Sequence, residues 1–296
     1  NPSWINRDRF ILSPGHGSML LYSLLHLNGF DISIEDLKNF RQLKSKTPGH
    51  PELDTSLGID MTTGPLGQGF STGVGFALAE RYLSELLGED IINHFTYGIV
   101  SDGDLMEGVS FEAAELASVW KLGKLIYIFD DNNISIDGRV TNVSSTDQKK
   151  KFESIGWHVL QVDAHDENEI SQALIDARNV HDKPSIIIAK SIIGKFAPNK
   201  QDTSGVHGSP LGADEMQEFK NNIGWQEDLF EHKKEIYDYF DEKRRIDNNL
   251  FSQWKETFSN KYETNDEFKK SWDLLISNDI SIELHSDKTS LATRIA

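Results

Sequence analysis

Phe95-Thr96-Tyr97-Gly98-Ile99-Val100 runs into Ser101-Asp102-Gly103, and Leu125-Ile126-Tyr127-Ile128-Phe129 runs into Asp130-Asp131-Asn132-Asn133. Each is a short apolar run that stops on a polar tip, the pattern of a buried strand. Residues 107–120, between them, read as a helix. Strands joined by a helical crossover run parallel, so both tips reach the same sheet edge. Side-chain oxygens of Asp102 and Asn132 then face one point, as in a site where a hard cation holds a diphosphate. The Ile134 carbonyl, two residues past Asn132 in an extended loop, adds a third oxygen. Octahedral positions remain for two phosphate oxygens and a water. Gly103 offers a backbone N–H that no side chain obstructs. The competing reading is that Asp and Asn are common turn residues after strands.

The alternation continues outward. Residues 158–162 read as a strand, 167–180 as a helix and 185–189 as a strand. The fold class is therefore α/β, a mostly parallel sheet with helices on both faces. Upstream, the leucines of 19–27 cluster as in a buried helix, and Ser33 caps a helix over 34–41. The helix at 70–87 follows a Gly-rich loop, with small residues at Gly69, Ser71, Gly73, Gly75, Ala77 and Ala79. Each helical glycine costs roughly 1 kcal/mol against alanine, and close packing on another backbone is the usual compensation. From 214 the chain changes to charged, aromatic-studded helical segments at 214–222, 233–243 and 249–262. Their aromatics, from Phe219 to Phe258, read as contacts in a core of their own. The expected division is an α/β diphosphate- and metal-binding domain over 1–213, a helical extension packed on it over 214–274, and a linker over 275–296.

Bulk properties narrow the partners. The 296 residues suffice for one large α/β domain or two small ones. A net charge of −17 argues against nucleic acid or an anionic membrane as a partner. An anionic substrate must then be met locally, by His, Arg, backbone N–H groups or metal. Cysteine is absent, which excludes disulfides and thiolate metal sites and suits a reducing compartment. No apolar run approaches membrane-spanning length. A cytoplasmic location is expected, with an organelle-targeting segment ahead of Asn1 left open.

Three histidines sit in Gly-flanked loops: His16 in Pro14-Gly15-His16-Gly17, His50 in Pro48-Gly49-His50-Pro51, and His207 in Gly205-Val206-His207-Gly208. Such loops bring an imidazole to a phosphate or a reacting hydroxyl, and histidine titrates where proton transfer is useful. Surface histidines in turns are the alternative. Gly64-Pro65-Leu66-Gly67-Gln68-Gly69 opens a helix, and helix N-termini favour anions. It lacks the Lys-Ser/Thr of a P-loop and the dinucleotide spacing, so helix–sheet packing is the competing reading. Glu107, near the start of the crossover helix, suits that helix's dipole.

Six motifs in one order carry a resemblance. They are Arg7-Asp8-Arg9-Phe10 with Leu12-Ser13-Pro14-Gly15-His16-Gly17; Thr47-Pro48-Gly49-His50-Pro51-Glu52; and Thr63-Gly64-Pro65-Leu66-Gly67-Gln68-Gly69. Then come Asp102-Gly103-Asp104-Leu105-Met106-Glu107-Gly108, Asp130-Asp131-Asn132-Asn133-Ile134-Ser135-Ile136-Asp137-Gly138 and Val206-His207-Gly208-Ser209-Pro210-Leu211. Over nearly its whole length the chain resembles the diphosphate-binding amino-terminal domain of the transketolase family of thiamine diphosphate enzymes. The resemblance implies Asp102, Asn132 and the Ile134 carbonyl as ligands of Mg²⁺ or Ca²⁺. It implies Gly103, Asn132, His16 and His207 at the diphosphate, Gly64 and Leu66 at the cofactor rings, and Ile193 lining the thiazolium pocket. His50, His207 and Arg294 would contact sugar-phosphate substrate, with His16, His50 and His207 in catalytic roles. Glu107 would link two sites across a homodimer.

The implied reaction moves a two-carbon ketol unit from a ketose phosphate to an aldose phosphate, in the pentose phosphate pathway. Rival readings are dihydroxyacetone synthase, deoxyxylulose-phosphate synthase, or a non-catalytic cofactor-half module. The family's first segment and its pyrimidine-binding and C-terminal domains have no counterpart in this sequence, so the chain alone is expected to be inactive. Three departures stand out: Ser101 in place of a usual glycine, Lys195-Phe196-Ala197 in place of a Gly/Ser-rich loop, and no proline across 225–240.

Overall fold

A computed structural model describes residues 1–277. Its main sheet uses β1 (Arg9–Leu12), β2 (Thr96–Ser101) and β3 (Leu125–Asp131). A two-stranded antiparallel ribbon follows, β4 (Ile134–Ser135) with β5 (Gly138–Arg139). The sheet is completed by β6 (His158–Asp163) and β7 (Ser185–Lys190), in the order β1-β2-β3-β7-β6, with every pair parallel. The expected strands are all present. β1 was not expected: four residues between charged Arg7-Asp8 and the Ser13-Pro14 turn are too short to announce a strand.

The helices are α1 (Ser18–Leu27), α2 (Ile34–Lys38), α3 (Gln68–Leu87), α4 (Asp102–Met106) and α5 (Gly108–Val119). They continue with α6 (Gln148–Ser154), α7 (Glu167–Arg178), α8 (Ala213–Asn222), α9 (Lys234–Thr264) and α10 (Asp266–Ser277). Successive strand residues point to opposite faces, so the sheet is covered twice. Tyr127, Phe129, Ile186 and Ile188 meet Phe70, Val74 and Ala77 of α3 and Ala114 and Ala117 of α5. On the other face Ile126 and Ile187 meet Ala173 and Ala177 of α7, and Leu12 meets Leu21 and Leu25 of α1.

The small residues of α3 divide by what they face. A Cβ on Gly73 would stand 2.0 Å from the Tyr127 hydroxyl, and one on Gly69 2.6 Å from the Ser13 Cα. Tyr127 donates that hydroxyl to the Phe70 carbonyl at 2.6 Å, so strand and helix meet through a hydrogen bond as well as through contact. Gly75 faces open space.

Several boundaries differ from expectation. α1 is one-sided rather than buried: Leu21 and Leu25 lie inside, whereas Leu20 is 49% and Leu24 38% exposed. Ser33 caps α2 through a reciprocal pair with Asp36, but the helix stops at Lys38. The crossover is two helices meeting at Glu107. Segments 233–243 and 249–262 are one helix, α9. Its Trp254, Phe258 and Tyr262 join Trp272 and Phe268 of α10 over Leu87, Ile91 and Ile92, with the Trp254 indole donating to the Ile91 carbonyl at 2.8 Å. Phe230, expected in that core, is exposed. α10 extends through Ser277, three residues into the stretch expected as linker. The rest of that stretch, with Arg294, lies outside the described residues.

Candidate cofactor site

The carboxyl ends of β1, β2, β3 and β7 form one edge, and the anticipated residues among those described gather at it. Ser101 pairs with Asp130 in the β2–β3 register, so Asp102 and the Asp131-Asn132 turn leave the sheet side by side. Asp102 is buried, and its Oδ2 has no hydrogen-bond partner among the described residues. Burial first, then the neighbouring Asp131 and Asp130, push its carboxyl up to about 7, while Lys190 pulls the other way. Lys190 is itself paired with Asp131 at 2.9 Å. Asn132 accepts the Ile134 N–H on its side-chain oxygen at 2.8 Å and donates its amide to Asp130 at 2.9 Å. That pairing fixes the turn, with Asn133 at φ 58° and Ile134 entering the ribbon buried.

A buried carboxylate oxygen without a donor, in a cluster of acids, is a position that a cation neutralises. The donors on hand are carboxylate, amide and carbonyl oxygens. Among the described residues there is no group of three or more His, Cys, Asp or Glu able to hold a metal by itself. Such a set fits a hard divalent ion that takes its remaining ligands from phosphate and water, rather than a zinc centre.

The histidine loops close over this edge. The rings of His16 and His207 stack with centroids 4.8 Å apart. Desolvation, and next the His207 and His50 rings, lower the His16 pKa, with Asp104 opposing. A lowered value favours neutral imidazole near pH 7, with one nitrogen to donate and one to accept. Nδ1 of His207 is buried without a partner among the described residues. Gly15 packs on Thr63 and Gly64, where an added Cβ would come within 2.9 Å of the Thr63 carbonyl carbon. Gly64 has φ 149° and faces His50, and Leu66 lies against Gly103. Ile193 follows β7. Its carbonyl accepts the Asp202 N–H at 2.9 Å, and Gly194 packs against Val206, so Ile193 and His207 belong to one folded loop.

Glu107 sits at the N-cap of α5 without using its side chain to cap it. It stands between α4 and α5, exposed; its carbonyl accepts the Ser110 N–H at 3.2 Å, its side chain makes no capping hydrogen bond, and its Cβ lies close to Gly67. The α3 N-terminus is also not an open anion site. Its Gly67 N–H is taken by Asp104 at 2.9 Å and its Phe70 N–H by Ser13 at 3.1 Å, and Ser13 donates to Asp104 at 2.7 Å.

Sequence reasoning missed three residues here. Asp104 is one. The others are His165, whose Nε2 accepts the Ile192 N–H at 3.1 Å, and Arg139, which grips Asp202 through two nitrogens at 2.7 and 2.6 Å. His165 and Arg139 act across 27 and 63 positions, and Asp104, beyond its local pairing with Ser101, reaches Ser13 and Gly67 across 91 and 37, separations that leave no local pattern.

Fold and edge together define a parallel α/β cofactor-binding domain whose ligand face lies at the strand carboxyl ends. The family model described as the transketolase thiamine diphosphate binding domain matches residues 1–280. The chain belongs to that family. It is 50% identical over 263 residues to Transketolase 1 of Escherichia coli, covering 88% of this chain and 40% of that protein. With Transketolase 2 of Aliivibrio fischeri it shares 54% over 247 residues, 82% of this chain and 37% of the other. The solved transketolase of Campylobacter jejuni superposes with a TM-score of 0.88 at 43% identity, over 93% of this chain and 43% of that one. The chain thus spans less than half the length of these relatives.

Proposed function

We propose that the chain forms the diphosphate-holding half of a transketolase that moves a two-carbon ketol unit between sugar phosphates. The observation that carries this is the buried Asp102 oxygen without a donor, set beside the Asn132 turn under the His16–His207 pair. In this reading Asp102, Asn132 and the Ile134 carbonyl hold Mg²⁺ or Ca²⁺. The Gly103 N–H, Asn132, His16 and His207 meet the diphosphate, while Gly64, Leu66 and Ile193 face the rings. Thiamine diphosphate supplies the electron sink for carbon–carbon cleavage. His50 and His207 orient substrate hydroxyls, and imidazoles at these positions pass protons, each such transfer worth ~10²–10⁴-fold in rate. Arg294 receives the sugar phosphate. The domain pairs with a second copy through the exposed surface of Glu107, Met106 and Val109, and the protein works in the cytoplasm within the pentose phosphate pathway.

The test is calorimetry of thiamine diphosphate binding with and without Mg²⁺, on the wild-type chain and on Asp102→Ala. The proposal predicts Mg²⁺-dependent binding that the substitution abolishes. Unchanged Mg²⁺-dependent affinity in the variant would show that the metal is held elsewhere.

A further inference from the structure

Asp104 is fully buried, and its carboxylate is shared among three loops. Oδ1 accepts the Ser13 hydroxyl at 2.7 Å and the Gly67 N–H at 2.9 Å. Oδ2 accepts the Ser101 N–H and the Ser101 hydroxyl, both at 3.0 Å. The backbone carbonyl of Asp104 takes the Ser110 hydroxyl at 2.6 Å, which adds the start of α5. Ser13 precedes the Pro14-Gly15-His16 turn, Gly67 follows Gly64 and Leu66, and Ser101 precedes Asp102 and Gly103.

We infer that Asp104 is a positioning residue of the cofactor site: one carboxylate fixes the mutual placement of the loops carrying His16, Leu66 and Asp102-Gly103. The inference rests on the cofactor reading proposed above. The geometry asks for a carboxylate in particular. Each oxygen receives one backbone N–H, from Gly67 and from Ser101, and a backbone N–H cannot turn round as a hydroxyl can. An asparagine would set its NH₂ against one of these two donors in either orientation, leaving a buried N–H unpaired. The same carboxylate, directly and through Ser13, satisfies the first turn of α3 and complements its dipole. The protein's own charge therefore occupies that helix end, and a diphosphate is left the Gly103 and His16 side of the edge.

Two variants of the 296-residue chain test this. In the ligand-free state, Asp104→Asn should raise amide hydrogen exchange in 13–17, 64–70 and 101–107 together. Ser13→Ala, which removes one arm, should raise it in 13–17 and 64–70 and leave 101–107 as it was. Ile187→Val, a core substitution against α7, should do neither. Calorimetry with Mg²⁺ and thiamine diphosphate should find Asp104→Asn weaker by ~10–100-fold, the range for supporting residues around a metal site, with Ile187→Val unchanged. Exchange that rises only in 101–107 in Asp104→Asn, or a Ser13→Ala variant indistinguishable from wild type, overturns the inference. Unchanged cofactor affinity in a folded Asp104→Asn chain overturns it as well. A wild-type chain that takes up no thiamine diphosphate contradicts the proposed function instead, and the ligand-free exchange pattern still decides the role of Asp104.

Discussion

His94 lies 5% exposed next to Arg9, Lys124 and Arg7, with Nδ1 unpartnered among the described residues. Burial foremost, and then those cations, lower its pKa from 6.5 to about 3. The unfolded imidazole takes up its proton near 6.5 and the folded one only near 3, so the unfolded state binds more protons in between. Stability is therefore whole above pH 6.5 and falls as pH drops through that window, by at most ~1.4 kcal/mol per pH unit. Urea melts at pH 7.5 and 5 should show this loss in wild type and a flatter dependence in His94→Leu. An equal slope in both would assign the pH sensitivity to other groups. Single residues were legible where they announce themselves locally. Asp102, Gly103 and Asn132 follow strand tips, His16 and His50 follow glycines, and His207 precedes one. Asp104 shows locally only its pairing with Ser101, three residues back, as an ordinary helix-start pattern; its reach to Ser13 and Gly67, 91 and 37 positions away, gave no signal.

Among the elements, α3 offers a prediction of opposite signs. Alanine gains up to ~1 kcal/mol over glycine in a helix interior. At Gly75, with nothing within 4 Å of an added Cβ, Gly75→Ala should realise that gain as a higher melting temperature. At Gly73 the same change drives a methyl into the Tyr127 hydroxyl, and overpacking of this kind costs ~1–3 kcal/mol or more. Gly73→Ala should therefore melt lower, and a rise in both variants would mean that α3 does not approach β3 as closely as described. The close approach was readable from the run of small residues, but which glycines face the sheet was not. The strands of the crossover units were legible because each alternates with a helix. β1 escaped because it is short and joins the sheet edge beside β2, from which more than eighty residues separate it. The join of two helical segments into α9 escaped because the residues between them, Arg244-Arg245-Ile246-Asp247-Asn248, are almost all polar and interrupt the apolar spacing.

At the scale of the whole molecule, a chain of net charge −17 gathers its unpaired carboxylate, histidine pair and glycine-lined backbone at one sheet edge. An anionic ligand approaching an acidic surface needs a counter-charge at the point of contact, and in the proposed reading a cation held by Asp102 supplies it. The central claim is that this edge recognises the diphosphate end of thiamine diphosphate through a divalent ion. The most direct measurement is calorimetric titration of the wild-type chain with thiamine diphosphate and with thiamine, each with Mg²⁺ and with Mg²⁺ chelated. The account predicts binding for thiamine diphosphate with Mg²⁺ and a marked loss when either the metal or the diphosphate is withheld. Equal binding of thiamine and thiamine diphosphate, or binding indifferent to chelation, would contradict it.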